Sequence, residues 1–124
     1  MQVRTQSWAY VVSYYAGLSR QPGWHIEPLL ELVSFLAGSP YAQALFPYTS
    51  HDVLGIGRVA NFTAQNAELR IQFNAASQSF KFTYYQRPDE RSPWVRRCPA
   101  PECHQVLLRI FHKRLRWFAP ADAA

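Results

Sequence analysis

Residues 68–84 alternate apolar and polar side chains twice over, and no other feature limits the fold as much. Leu69, Ile71 and Phe73 alternate with Glu68, Arg70 and Gln72, and Phe80, Phe82 and Tyr84 alternate with Ser79, Lys81 and Thr83. A period of two puts each set on one face of a strand. The short polar link Ala75-Ala76-Ser77-Gln78 joins the two runs. They are therefore expected to pair as an antiparallel hairpin with one dry face and one wet face, the latter carrying Glu68, Arg70 and Lys81. The period begins earlier, at 53–57, where Leu54 and Ile56 alternate with Gly55 and Gly57. Glycines inside a strand mark a bulge or a close approach of another part of the chain.

A meander with one apolar face needs a cover, and the flanking segments supply helices for it. Over residues 5–18 two patterns compete. Trp8, Val11, Val12 and Tyr15 recur as on a helix, while Trp8, Tyr10, Val12 and Tyr14 alternate as on a strand. The length of the run and the small residues Ala9 and Ala16 favour the helix. Gln21-Pro22-Gly23 ends it. Pro28 suits the first turn of a second helix, in which Leu29, Leu32, Val33 and Leu36 form one stripe and Gly38 supplies a left-handed cap. Ser39-Pro40 then opens a short helix over residues 41–46, stopped by Pro47. Residues 87–101 contain four prolines and read as a loop, with a short edge strand at Trp94-Val95. The last element is an amphipathic helix over residues 102–118, ended by Ala119-Pro120. Leu107, Leu108, Phe111, Leu115 and Phe118 face inward on it, while Arg109, Lys113 and Arg116 face outward. The expected fold is α+β, one domain over residues 1–124. Its core is an antiparallel three- or four-stranded meander, with N-terminal helices and a C-terminal amphipathic helix packed on one face.

Composition excludes several classes. With 48% hydrophobic, 15% aromatic and 17% charged residues, the chain is too apolar to be disordered. No apolar run approaches the roughly 18 residues of a membrane helix. The N-terminal segment lacks the pattern of a secretory signal, so a soluble, cytoplasmic protein is expected. Two cysteines are too few for a disulfide scaffold.

The net charge of +5 is unevenly placed. Residues 1–80 balance four basic groups against four acidic ones. Residues 81–118 hold nine basic groups against Asp89, Glu90 and Glu102. Such asymmetry points to an anionic partner.

The motifs that suggest catalysis fail on geometry. Ser50-His51-Asp52 has the letters of a hydrolase triad, but adjacent side chains diverge and cannot form the relay, so a polar turn is expected. Gly55-Ile56-Gly57 lacks the third glycine and the helix that a phosphate cradle needs. Cys98 and Cys103-His104 suggest zinc, with His112 or His51 completing four ligands. The proline-rich spacer and the absence of a second cysteine pair argue against it. They read as separate thiols, with a Cys98–Cys103 disulfide as the alternative, and His104 reads as a core histidine facing Leu108 and Phe111. Asn61-Phe62-Thr63 fits a glycosylation sequon but reads as a turn. Glu27 and Glu31 lie on the wet side of their helix and Asp89-Glu90 in the loop, so no carboxylate dyad emerges. Neither a cofactor nor a bound metal is expected, and a small-molecule ligand is not favoured.

In size and shape the organisation resembles the small α+β accessory proteins of bacteria, including immunity-type proteins that block a toxin. The resemblance covers size and shape alone; the basic, aromatic C-terminal third and the failure of the catalytic motifs favour a non-enzymatic protein-binding module. Its basic, aromatic C-terminal surface would be built from Arg96, Arg97, Arg109, Lys113, Arg116 and Trp117, and an acidic protein surface is the favoured partner. The alternative is nucleic-acid binding by the same surface. A third reading is a small enzyme or metal protein centred on Cys98, Cys103 and His104.

Overall fold

The computed structural model describes residues 3–63, 66–86 and 92–118. The class is α+β, with five strands rather than three or four. Helices α1 (Trp8–Ser19) and α2 (Glu27–Ala37) and a 3-10 turn (Pro40–Ala44) precede the sheet. The strands are β1 (Phe46–Ser50), β2 (Val53–Gly57), β3 (Glu68–Asn74), β4 (Ser79–Tyr85) and β5 (Trp94–Pro99). Helix α3 (Cys103–Arg109) and a π-helical turn (Ile110–Arg114) follow. Each strand pairs antiparallel with its sequence neighbour, in the order β1-β2-β3-β4-β5.

Helical spacing decides the first segment. The Ser7 side chain accepts a hydrogen bond from the Tyr10 amide and caps α1, satisfying one of its free N–H groups. Val11 and Tyr15, four residues apart, are fully buried, while Tyr10 is half exposed. The Tyr15 hydroxyl donates to the Val53 carbonyl at 2.8 Å and ties the helix to the sheet. On α2 the expected stripe Leu29, Leu32, Val33 and Leu36 is wholly buried. Gly38 ends that helix at φ −90°, without the expected left-handed cap.

Leu54, Ile56, Leu69, Ile71, Phe80 and Phe82 point to the helical layer and are fully buried. The opposite row carries Tyr48, Gly55, Arg70 and Thr83 side by side across four strands. Gly55 and Gly57 are where rings press on the backbone. A Cβ at Gly55 would fall within the Tyr48 ring, and one at Gly57 would collide with the Phe62 ring.

The two edges of the sheet differ. Along β1, the Gln6 amide donates to the Pro47 carbonyl at 2.8 Å and the Thr49 amide donates to Gln6 Oε1 at 3.0 Å. The Val3 amide reaches the Phe62 carbonyl at 2.7 Å. The N-terminal arm thus covers that edge. On β5 the Ala100 amide donates to the Gln78 carbonyl. Alternation then turns the backbone groups of Cys98, Arg96 and Trp94 toward β4 and those of Val95 and Arg97 outward. Both prolines in the sheet, Pro47 and Pro99, sit at outward-facing positions of edge strands, where a missing N–H breaks no ladder bond.

Pro47 therefore begins no break: residues 46 and 47 belong to β1, and the turn expected to end there stops at Ala44. Ser50-His51-Asp52 is the expected polar turn, with His51 at φ 54°. Arg87, Asp89, Glu90, Arg91 and the expected stop at Ala119-Pro120 lie outside the described residues.

The final helix departs most from expectation. After Arg109 the chain widens into a π turn, and the Leu115 amide bonds back to the Ile110 carbonyl at 2.8 Å. Arg116 then reverses direction at φ 54°. The Trp117 amide donates to the Phe111 carbonyl at 2.9 Å, folding the tail back over the core. His112 fastens it. Phe118 O can only accept, so His112 Nδ1–H donates to it at 3.1 Å. In the neutral ring Nε2 then accepts the Tyr41 hydroxyl at 2.7 Å.

Candidate functional site

The groove between β5 and α3 collects four of the nine basic groups of the C-terminal third. Strand alternation sends Trp94, Arg96 and Cys98 to the helical side, because they face Tyr84, Phe82 and Phe80 on β4. On the helix, Val106 and Ile110 are four residues apart and 3% exposed, and Arg109 and Lys113 repeat that interval on the exposed side. Arg114, the last residue of the π turn, lies over Trp94, with Cζ 5.0 Å from the ring centroid. Trp94, Val106 and Ile110 make an apolar floor. Arg96, Arg109, Lys113 and Arg114 stand around it, enclosing about 300 Å³. Among the described residues no carboxylate lines this groove. Four cations on a low-dielectric floor concentrate positive potential there.

Three of the six residues expected at the binding surface meet in this groove: Arg96, Arg109 and Lys113. Arg97 points to the opposite face of the sheet, in the row of Lys81 and Gln72. Arg116 is exposed but lies past the helix, in the chain reversal. Trp117 is half-buried, 6.1 Å from Phe111 and 6.0 Å from Tyr84 between ring centroids, with Arg58 Cζ 5.6 Å from its own ring. It braces the tail rather than flanking the basic stripe. Arg114 and Trp94 were missed. A regular helix already places Arg114 about 40° from Ile110, so the stripe of Val106 and Ile110 could have pointed to it. Trp94 could have been found from its alternation with Arg96 and Cys98.

His104 stands apart from the two cysteines, which remain neighbours. Cys98 and Cys103 are separate, buried thiols. Loss of solvation pushes both above the ordinary thiol range, with Cys103 raised to about 11 by burial and then by the neighbouring Cys98. A thiol held protonated is a poor nucleophile. His104 is exposed and stacks on Phe35 at 4.6 Å between centroids. It is not a core histidine, because α3 turns that position to the rim shared with α2. Among the described residues no three His, Cys, Asp or Glu side chains stand close enough to hold a metal ion.

On the far face of the sheet Glu68, expected on the wet side, is only 1% exposed. The Tyr48 hydroxyl donates to Glu68 Oε2 at 2.5 Å, and Arg70 Nη2 donates to Oε1 at 2.8 Å. The guanidinium lies 4.4 Å from the Tyr85 ring centroid. Burial and the Glu68 hydrogen bond raise the Tyr48 phenol well above its ordinary value, so it stays a donor. A buried carboxylate between an arginine and a phenol is the form in which such a charge is tolerated.

No helix among the described residues is long and apolar enough to cross a membrane. Compared with protein-family models, with curated proteins and with solved structures, the chain matches none.

Proposed function

We propose that the protein is a non-enzymatic binding module that holds an acidic surface of a partner protein in the groove between β5 and α3. One observation carries this reading: Arg96, Arg109, Lys113 and Arg114 surround the apolar floor of Trp94, Val106 and Ile110 with no carboxylate among them. Exposed ion pairs contribute only about 0.2–1 kcal/mol each. The cations therefore steer and orient, and an apolar side chain seated on Trp94 supplies the anchor. A partner segment with one large apolar residue flanked by Asp or Glu fits both demands. The floor favours a protein over a nucleic-acid backbone, which would use the charges and leave the apolar surface unmatched.

The test compares proteins retained by the immobilised wild type with those retained by Arg109→Glu/Lys113→Glu, followed by titration of each purified partner against salt. The expected partner is lost by the reversed variant and is weakened about tenfold or more by Trp94→Ala. A 20-base-pair duplex is titrated alongside. Tight duplex binding whose affinity falls by roughly 0.9 log units per log salt for each phosphate contact would assign the groove to nucleic acid instead. Retention of every partner at wild-type affinity by the reversed variant would show that the groove is only a solvated face.

A further inference from the structure

We propose that the far face of the sheet binds a small oxyanion, a phosphate or carboxylate borne on a hydroxylated molecule. The site is independent of the groove, from which the sheet separates it. Two adjacent cross-strand rows form its floor: Ser50, Val53, Gln72 and Lys81 in one, Arg70 and Thr83 in the other. Between them lies a cavity of about 350 Å³, walled by Tyr48 and Tyr85, at the small end of the range of roughly 300–1,000 Å³ for ligand sites.

Arg70 is set for recognition. Glu68 holds one arm of the guanidinium, and the Tyr85 ring supports its plane. Its side chain remains 38% exposed, while its Nε is buried and has no hydrogen-bond acceptor. A sheet that buries a carboxylate beneath its open face gains no packing from it. What the arrangement secures is one fixed arginine, and a fixed guanidinium matches an oxyanion at little entropic cost.

The surrounding groups have capacity to spare. Lys81 stands one row from Arg70 and has no ion-pair partner among the described residues. The Thr83 hydroxyl, on a residue 8% exposed, makes no hydrogen bond with the described residues, and neither do the side chains of Ser50 and Gln72. Two cations and three neutral hydrogen-bonding groups thus converge on one cavity. Glu68, beneath this face, already has its oxygens occupied, and Asp52 lines the adjoining hollow beside Arg97. The charges select an anion. The hydroxyls and the amide suit the rest of a sugar-like molecule.

The test is a two-dimensional amide NMR titration of the whole protein at low salt, with inorganic phosphate, glucose 6-phosphate and gluconate in separate arms. Saturable shifts at Ser50, Gln72, Lys81 and Thr83 are expected in at least one arm, with a dissociation constant at or below about 1 mM. Response to the phosphates alone identifies phosphate as the recognised group, and response to gluconate alone identifies carboxylate. Lys81→Gln should weaken binding about tenfold, with its spectrum otherwise that of the folded protein. Thr83→Val, which removes a hydroxyl and no charge, should weaken it by about threefold or more. The proposal is overturned by an absence of saturation in all three arms at about 20 mM. It is also overturned by shifts of equal size at Arg96 and Arg109, or by unchanged affinity in both variants.

Discussion

Replacing Gly55 by alanine tests the packing of the far face most directly. The added Cβ would fall within the Tyr48 ring. That ring cannot swing aside cheaply, because its hydroxyl is bonded to the buried Glu68 carboxylate. Accommodation requires either a shift of β1 against β2 or loss of that bond. Overpacking of this kind costs about 1–3 kcal/mol, and freeing a hydrogen bond to a buried charge adds about 1.5–3 kcal/mol. We expect Gly55→Ala to lower stability by roughly 2.5–6 kcal/mol, measured by urea unfolding followed through tryptophan fluorescence. Tyr48→Ala removes the obstacle. In that background Gly55→Ala should cost nothing, or stabilise by about 0.5–1 kcal/mol, because alanine restricts the unfolded chain. The coupling energy of the double-mutant cycle is therefore at least about 2 kcal/mol. A cost under about 0.5 kcal/mol in the wild type, or the same cost in both backgrounds, would refute the argument.

Two further outcomes follow from the core. Phe111 is fully buried and supports Tyr41, Trp117 and Phe118, so Phe111→Ala should destabilise by about 3–5 kcal/mol in the same urea assay. The Cys103 thiol rises from 9.0 to about 11 in the fold. Above pH 9 the unfolded chain releases that proton first, so stability falls as pH rises and loses up to about 2–3 kcal/mol by pH 11. The raised phenols of Tyr15 and Tyr48 add to the decline above pH 10. Unfolding midpoints measured from pH 8 to 10 should fall less steeply in Cys103→Ala, and an unchanged slope would exclude the thiol.

The parts of the fold legible in the sequence are those where local pattern and tertiary packing agree. The alternation through β3 and β4 and the stripe on α2 both bury one face against one neighbour. β1 was hidden because Pro47 reads as a break. In the sheet its missing N–H faces the N-terminal arm, a contact about forty residues away in sequence that no local pattern reveals. β5 was mostly hidden because Arg96, Arg97 and Pro99 look like loop. Its two arginines belong to opposite faces, so neither alternation nor a charge run describes them. The candidate groove was half legible for a related reason. A helical wheel places Arg109 correctly because it ends the regular turns, and Lys113, though inside the π turn, keeps the groove side. It then misplaces Arg116 and Trp117, since one widened turn changes the angle of every residue beyond it. Glu68 shows the reverse limit: a carboxylate on the polar side of a strand reads as solvated until Tyr48 and Arg70 are seen to close over it.

The unequal edges of the sheet bear on how the molecule avoids self-association. An uncovered strand edge is a template on which another copy can add. The N-terminal arm withholds β1 from that fate. β5, whose outward groups belong to Val95 and Arg97, is guarded instead by the charges of Arg96 and Arg97 and by Pro99, which offers no donor. By that principle the arginines of β5 disfavour addition of another copy along this edge, as well as contributing positive charge to both faces. Substituting them with apolar residues would remove that guard even where folding and stability were untouched. Charge reversal, by contrast, keeps the edge protected, which is why it is the safer way to probe these positions.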